Sequence, residues 1–132
     1  MTSKQTSKPS RTETELVIDA RTPEEVTAQL RRDARRIDSG DYTPQPARLS
    51  FATMELLLSV LTSNRWRLLT VLQGTGPSSI RSLARALGRD YRGVHADVMV
   101  LLPHGLVERD EQGKVYVPWQ RITAEIRASA AA

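Results

Sequence analysis

Val26, Leu30, Ala34 and Ile37 recur at intervals of three and four, the spacing of one helix face. Thr22-Pro23-Glu24-Glu25 precedes them as a helix start: Thr22 caps, Pro23 suits the first turn, and Glu25 stands where a capping box needs it. Gly40 predicts the end, and Arg31, Arg32, Arg35 and Arg36 line the opposite face. A second helix is predicted after Ser50, with Phe51, Met54, Leu57, Leu58 and Leu61 on one side and Leu56 and Val60 widening the stripe. A helix apolar over so much of its surface serves either a subunit interface as well as a core, or a central position in a monomer. Thr62 caps a third helix, running through Trp66, Leu69 and Leu72 to a stop near Gly74. Ser79 caps a fourth, with core face Ile80, Leu83, Ala84 and Leu87 and a left-handed end at Gly88. Asp90 caps a fifth, whose apolar set is Tyr91, Val94, Val98, Leu101 and Leu102. Pro103 cannot donate to the carbonyl of Met99, so this helix ends near Leu102.

The remaining segments follow a period of two or none. Leu16-Val17-Ile18 predicts a short strand. Ile122, Ala124 and Ile126 alternate with Thr123, Glu125 and Arg127, which predicts a strand that can pair with 15–18 in one chain or across a dimer; a last helix is the competing reading. Leu106 and Val107 lead into a ribbon that returns at 115–117, with a turn at Asp110-Glu111-Gln112-Gly113 and Gly113 at positive φ. Residues 40–49 hold Pro44 and Pro46 and read as a linker. The expected organisation is a disordered tail (1–14), a strand-helix extension with its linker (15–49), a winged helix-turn-helix domain (50–127) and a frayed tail (128–132). The expected fold class is mainly α with a small β-wing.

At 132 residues the chain suits one core with an extension, built mostly from Leu, Val, Ile and Ala. It contains no cysteine, which removes disulfides, thiolate zinc sites and cysteine nucleophiles and fits a reducing cytoplasm. The polar N-terminal stretch lacks the apolar segment of a signal peptide, and the longest apolar run, 54–61, contains Glu55 and is too short to span a bilayer. A cytoplasmic protein without a membrane partner is expected.

The formal net charge of +4 is unevenly placed. Residues 50–105 carry Arg65, Arg67, Arg81, Arg85, Arg89 and Arg92 against Glu55, Asp90 and Asp97, an excess of +3. That excess coincides with the two helices meeting at Gly88, where contacts to phosphate would need it. In a helix-turn-helix the N-terminal turns of the second helix reach base edges. The candidate readers are Arg92, His95 and Ala96, with Tyr91 and Arg89 at the entrance; Ser79, Arg65, Arg81 and Arg85 complete the phosphate-facing set, and Arg109 and Lys114 flank the wing tip. Arg92 can donate two hydrogen bonds to guanine, His95 can donate to a base or phosphate, and Ala96 can touch a thymine methyl. Gly93 allows a close approach to DNA or to another helix, or is simply tolerated. Asp97 is expected to pair with Arg81 or Arg85. Glu108, Asp110 and Glu111 oppose the wing's basic residues and predict a modest contribution from it.

His95 and His104 are the only histidines, and their spacing matches no familiar metal pattern; a P-loop and a GxGxxG are both missing. No metal, cofactor or enzymatic activity is expected.

The segments LSFATMELLLSVLTSNRWRLL (49–69), SIRSLARALGRDYRGVHADV (79–98) and GLVERDEQGKVYVP (105–118) resemble the MarR-like winged helix-turn-helix regulators, and more closely a group of small prokaryotic predicted regulators, some encoded beside toxins. With the helix at 23–39 the resemblance spans most of the chain beyond residue 14. It implies double-stranded DNA as partner, a homodimer and autoregulation, and it places Arg81, Arg85, Arg89 and Arg92 on the DNA-facing surface. Pro103 departs from the family's helix-favouring residue. The expected dimer surface is Leu30, Ile37, Phe51, Met54, Leu57 and Leu58. The expected function is a sequence-specific transcriptional regulator, a repressor or autoregulator acting as a homodimer; the alternative is an antitoxin that binds a cognate toxin protein, through the Arg31–Arg36 face, and its own operator.

Overall fold

The computed structural model describes residues 14–128, so the expected tails lie, except for Thr14 and Ala128, outside the described residues. The elements run β1 (Glu15–Ala20), α1 (Pro23–Asp38), β2 (Ala47–Phe51), α2 (Met54–Val60), α3 (Ser63–Thr75), α4 (Ile80–Leu87), α5 (Tyr91–Leu101), a 3-10 turn (Leu102–His104), β3 (Glu108–Arg109), β4 (Val115–Tyr116) and β5 (Arg121–Ala124). The fold is mixed and helix-rich, and it divides into two compact units. One is built from the chain up to Leu57 together with the segment from Arg121; the other is Leu58–Gln120. The contiguous 50–127 domain read from the sequence is therefore not a single compact unit, because both its ends belong to the first. No described helix is long and apolar enough to cross a membrane.

The first unit is a parallel sheet in the order β2-β1-β5. Parallel neighbours need a crossover, and α1 supplies it between β1 and β2. The register places Leu16 and Ile18 beside Ala47 and Leu49 on one flank and beside Ile122 and Ala124 on the other, giving the sheet an apolar face. Its other face carries Val17, Asp19, Arg48, Ser50 and Thr123. β1, flanked on both sides, is buried from Leu16 to Asp19. The pairing of β5 with β1 occurs within one chain, and Glu125 N–H extends it to the Ile18 carbonyl (2.8 Å), so the C-terminal segment is a strand rather than a helix.

β2 corrects the sequence reading. Residues 40–49 read as linker and Phe51 as the start of the second helix, yet Ala47-Arg48-Leu49-Ser50-Phe51 is a strand that ends on a buried Phe51. Thr53 then caps α2 by accepting from Leu56 N–H (3.1 Å), which leaves a helix of 7 residues in which only Leu57 is buried. Phe51 and Leu57 are thus occupied inside their own chain and cannot form the expected subunit surface. Met54 is half-buried, while Leu58, Leu30 and Ile37 remain exposed.

α1 has the predicted capping box, with Glu25 N–H on Thr22 Oγ1 (3.1 Å) and Thr22 N–H on Glu25 Oε1 (2.8 Å). Its side-chain hydrogen bonds to the rest of the unit run between Gln29 and Arg21 and from Arg36 Nη1 to the Thr43 carbonyl (3.5 Å), and Val26 and Ala28 are half-buried. Asp19, only 1% exposed, accepts from Arg48 Nη1 (2.7 Å) and Ser50 Oγ (2.6 Å) and pairs with Arg21 Nε (3.5 Å). Arg21 Nη2 donates to Gln29 Oε1 (3.3 Å), Gln29 Nε2 to Asp33 Oδ1 (3.0 Å), and Arg36 Nη2 to the same oxygen (3.2 Å). The Gln29 amide, and then Arg36, hold the Asp33 carboxyl below its ordinary value. No residue of α1 is buried.

The second unit gathers α3, α4 and α5 around Leu68, Leu69, Leu72, Ile80, Leu83, Leu87, Val94, Val98 and Leu101. The predicted caps Thr62, Ser79 and Asp90 all accept from their helices' first-turn N–H groups. α5 stops at Leu101, and Pro103 sits in the 3-10 turn that follows. β3 and β4 form an antiparallel ribbon, and Ser78 pairs with Val115 on the other edge of β4 through two 2.9 Å hydrogen bonds. Trp119 Nε1 donates to the Gly105 carbonyl (2.9 Å), fastening the chain after the ribbon.

Asp19→Ala strips the buried partner from Arg48, Ser50 and Arg21 and is expected to destabilise the protein by about 3 kcal/mol, read as a lowered denaturation midpoint. Asp33 contributes a smaller, pH-dependent part: its lowered pKa means that its stabilisation is complete above the ordinary carboxylate range and is lost as pH falls through the lowered value. Asp33→Asn should flatten the acid limb of the stability curve without changing its neutral plateau shape.

Candidate nucleic-acid interface

α4 and α5 are joined by Gly88-Arg89-Asp90. Gly88 adopts φ 67, a left-handed value that lets its N–H and that of Arg89 return to the carbonyls of Arg85 (3.1 Å) and Ala84 (3.0 Å). Asp90 Oδ2 then accepts from Gly93 N–H (3.1 Å), so the second helix begins at once. A Cβ added at Gly93 would lie 3.1 Å from both Arg89 Nη2 and Asp90 Oδ1. The bare Cα therefore leaves room for the cap and for the arginine behind it.

Arg89 uses that room to reach Asp97. This buried carboxylate accepts from Arg89 Nη1 (2.8 Å) on one oxygen and from Arg65 Nε (2.9 Å) on the other. Arg65 Nη1 also donates to the carbonyls of Ser59 (3.0 Å) and Val60 (3.2 Å). Asp97 thus ties α3, the α4–α5 turn and α5 together. Its expected partners, Arg81 and Arg85, are not its partners, because they lie on the outward side of α4, opposite Leu83, Ala84 and Leu87. The same geometry removes Arg65 from the expected phosphate contacts: its guanidinium is turned inward. Arg89 is likewise engaged and half-buried.

The outward side is different. The Arg81 guanidinium lies over the Tyr91 ring, 5.2 Å from its centroid, and Tyr91 stacks on His95 with centroids 5.8 Å apart. Three of the sequence-predicted residues thereby form one column across α4 and α5. Tyr91, read from the sequence as part of the apolar set of α5, is instead exposed beside His95, four residues on; that i, i+4 spacing was the signal for the pair, and nothing local pointed to the arginine. Arg85, Arg92 and Ala96 are exposed, and neither arginine makes an ion pair among the described residues. Ser79 is exposed, but its Oγ is occupied by Ser82 N–H (3.0 Å).

In the ribbon, Asp110 faces its own turn. Its Oδ1 accepts from the N–H groups of Gln112 and Lys114 (both 2.9 Å), and Gly113 takes φ 82 as predicted. Arg109 and Lys114 remain exposed on either side of that turn. Tyr116 crosses the ribbon to donate to Glu108 Oε1 (3.1 Å); burial, and then this carboxylate, push the tyrosine hydroxyl above its ordinary value. Two of the three acidic groups expected to oppose the basic tip are therefore engaged locally.

Residues 60–124, just under half of the chain, match the sequence profile of a family designated HVO_A0114. No curated protein matches the chain.

The inward charge cluster and the outward arginines should respond very differently to mutation. Asp97→Ala leaves Arg65 and Arg89 without the carboxylate they share and is expected to cost about 3 kcal/mol of stability. Arg85→Ala, outside any such contact, should stay within about 0.5 kcal/mol of the parent. Urea denaturation of both variants separates the cases.

Proposed function

We propose that Leu58–Gln120 is a winged helix-turn-helix that binds duplex DNA, with α5 in the major groove and the β3–β4 ribbon as its wing, and that the protein is a transcriptional regulator. The observation that carries this reading is the sorting of the arginines. Arg65 and Arg89 neutralise a buried carboxylate, whereas Arg81, Arg85 and Arg92 stay on the outward side of α4 and α5 beside Tyr91, His95 and Ala96. A solvated structural face has no need of that separation; a polyanion would use it. The turn at Gly88 and the ribbon that follows, backed by Ser78, supply the order of elements that such modules use.

In this reading Arg92, in the first turn of α5, reads a base edge. Arg85 and the wing residues Arg109 and Lys114 contact phosphate. Arg81 and His95, both against the Tyr91 ring, stand with it at the protein–DNA boundary. Asp97 takes no part in contact and sets the angle at which α5 is presented.

Binding to the DNA upstream of the protein's own gene, followed by fluorescence anisotropy across a salt series, tests the proposal. Affinity should fall steeply with salt. Arg92→Ala should cost about 1–3 kcal/mol and relax preference at one position per half-site, whereas Arg85→Ala should weaken all sequences alike and reduce the salt slope by about 1. Binding indistinguishable from random DNA at every salt concentration would overturn the reading.

A further inference from the structure

The first unit holds a groove of about 400 Å³ between α1 and the β2 segment, a volume suited to a small organic molecule. Its lining carries a positive charge that the unit leaves unbalanced. Asp19, 1% exposed, is a single carboxylate shared by Arg21 and Arg48, and both arginines line the groove. Arg48 gives only Nη1 to Asp19 and its side chain is 38% exposed, so Nε and Nη2 keep their N–H groups for another acceptor. Arg21 pairs with Asp19 through Nε and with Gln29 through Nη2, and its Nη1 makes no hydrogen bond among the described residues. Asp33 supplies the opposite charge to the same lining. Both of its hydrogen bonds, from Gln29 Nε2 and Arg36 Nη2, fall on Oδ1, which leaves Oδ2 as an open acceptor among the described residues. The Gln29 amide links the two charges: its Oε1 accepts from Arg21 (3.3 Å) and its Nε2 donates to Asp33 (3.0 Å), so cation and anion stand one amide apart. Val26, Leu30 and Pro46 give the groove its apolar surface.

We propose that this groove binds a free amino acid with an apolar side chain. The ligand's carboxylate accepts from the spare N–H groups of Arg48 and Arg21, its ammonium donates to Asp33 Oδ2, and its side chain lies on Val26, Leu30 and Pro46. The polar set selects this class of ligand. An organic anion answers the arginines but brings a second negative charge to Asp33. An organic amine answers Asp33 but brings a third positive charge to the arginines. A zwitterion carries both charges on one carbon and meets both, and hydrogen bonds in which a partner is ionised are the strong ones. Every residue of the site belongs to the first unit, so the inference is independent of the DNA reading.

Isothermal titration calorimetry of the full chain tests it, with L-valine, L-leucine, L-isoleucine, L-methionine and L-phenylalanine each raised to about 10 mM. At least one is expected to bind with a dissociation constant of about 1 mM or below. The matching acid without its amino group, and the matching amine without its carboxyl, should each bind at least about ten-fold more weakly. Asp33→Asn should weaken the amino acid about ten-fold and leave the deaminated acid no weaker, a split that general loosening of the groove does not produce. Arg48→Lys, which keeps a cation for Asp19 but lacks the spare guanidinium N–H groups, should weaken the amino acid and the deaminated acid alike. If the lysine variant fails to fold, Asp33→Asn carries the test. Failure of all five amino acids to bind at about 1 mM or tighter overturns the proposal. So does a deaminated acid bound as tightly as its amino acid, or an affinity that Asp33→Asn leaves unmoved.

Discussion

Two buried carboxylates, each gripped by two arginines, organise this chain. Asp97 holds Arg65 and Arg89; Asp19 holds Arg48 and Arg21. Both lie at places where apolar packing alone would leave an angle undefined. Asp97 sits where a helix must be presented at a fixed tilt by two others. Asp19 sits where a strand face that is polar in its neighbours, Arg48 and Ser50, meets a helix whose near side is also polar. A buried charge is stable only in company, and in each case one arginine is near in the chain (Arg21, Arg89) and the other distant (Arg48, Arg65), so each carboxylate specifies a tertiary arrangement as well as a contact. The absence of any unsatisfied buried side-chain polar atom among the described residues shows that both clusters are complete.

These clusters also change the meaning of the charge distribution. The +3 excess over residues 50–105 looked like a footprint for polyanion binding when all six arginines were counted alike. Two of them are internal counter-ions. Four remain outward: Arg67 donates to the Leu87 carbonyl (3.5 Å), Arg81 lies over an aromatic ring, and Arg85 and Arg92 have no ion-pair partner among the described residues.

Helices were legible where a capping residue and an apolar period agreed. Thr22, Thr62, Ser79 and Asp90 each marked a start, and Gly88 and Pro103 each marked a stop, because caps and breakers act through local backbone chemistry that the sequence displays directly. The ribbon turn was legible for the same reason. β2 was missed because Pro44 and Pro46 announced a linker and Phe51 happened to fall in helical register with Met54; the strict alternation of Ala47 to Phe51 was the better signal. The partner of Asp97 was beyond local reasoning. Arg65 is remote in sequence, and the choice between it and Arg81 depends on which side of α4 faces α5. The candidate interface divides in the same way: the exposed positions followed from helical period, whereas the withdrawal of Arg65 and Arg89 required the fold.

The position of β5 has a consequence for how the chain is made. Its partner β1 begins at Glu15, yet Glu15 lies beside Arg121, so every residue of the second unit is synthesised between two neighbouring strands. The helices and ribbon find their partners within the second unit, Arg65 with Asp97 and Ser78 with Val115, and do not depend on the sheet for them. β1 and β2 must meanwhile wait as an unfinished pair, with one flank of β1 bare until the last strand arrives. The sheet is therefore completed only after the whole second unit has been synthesised, and one flank of β1 lacks its strand until then.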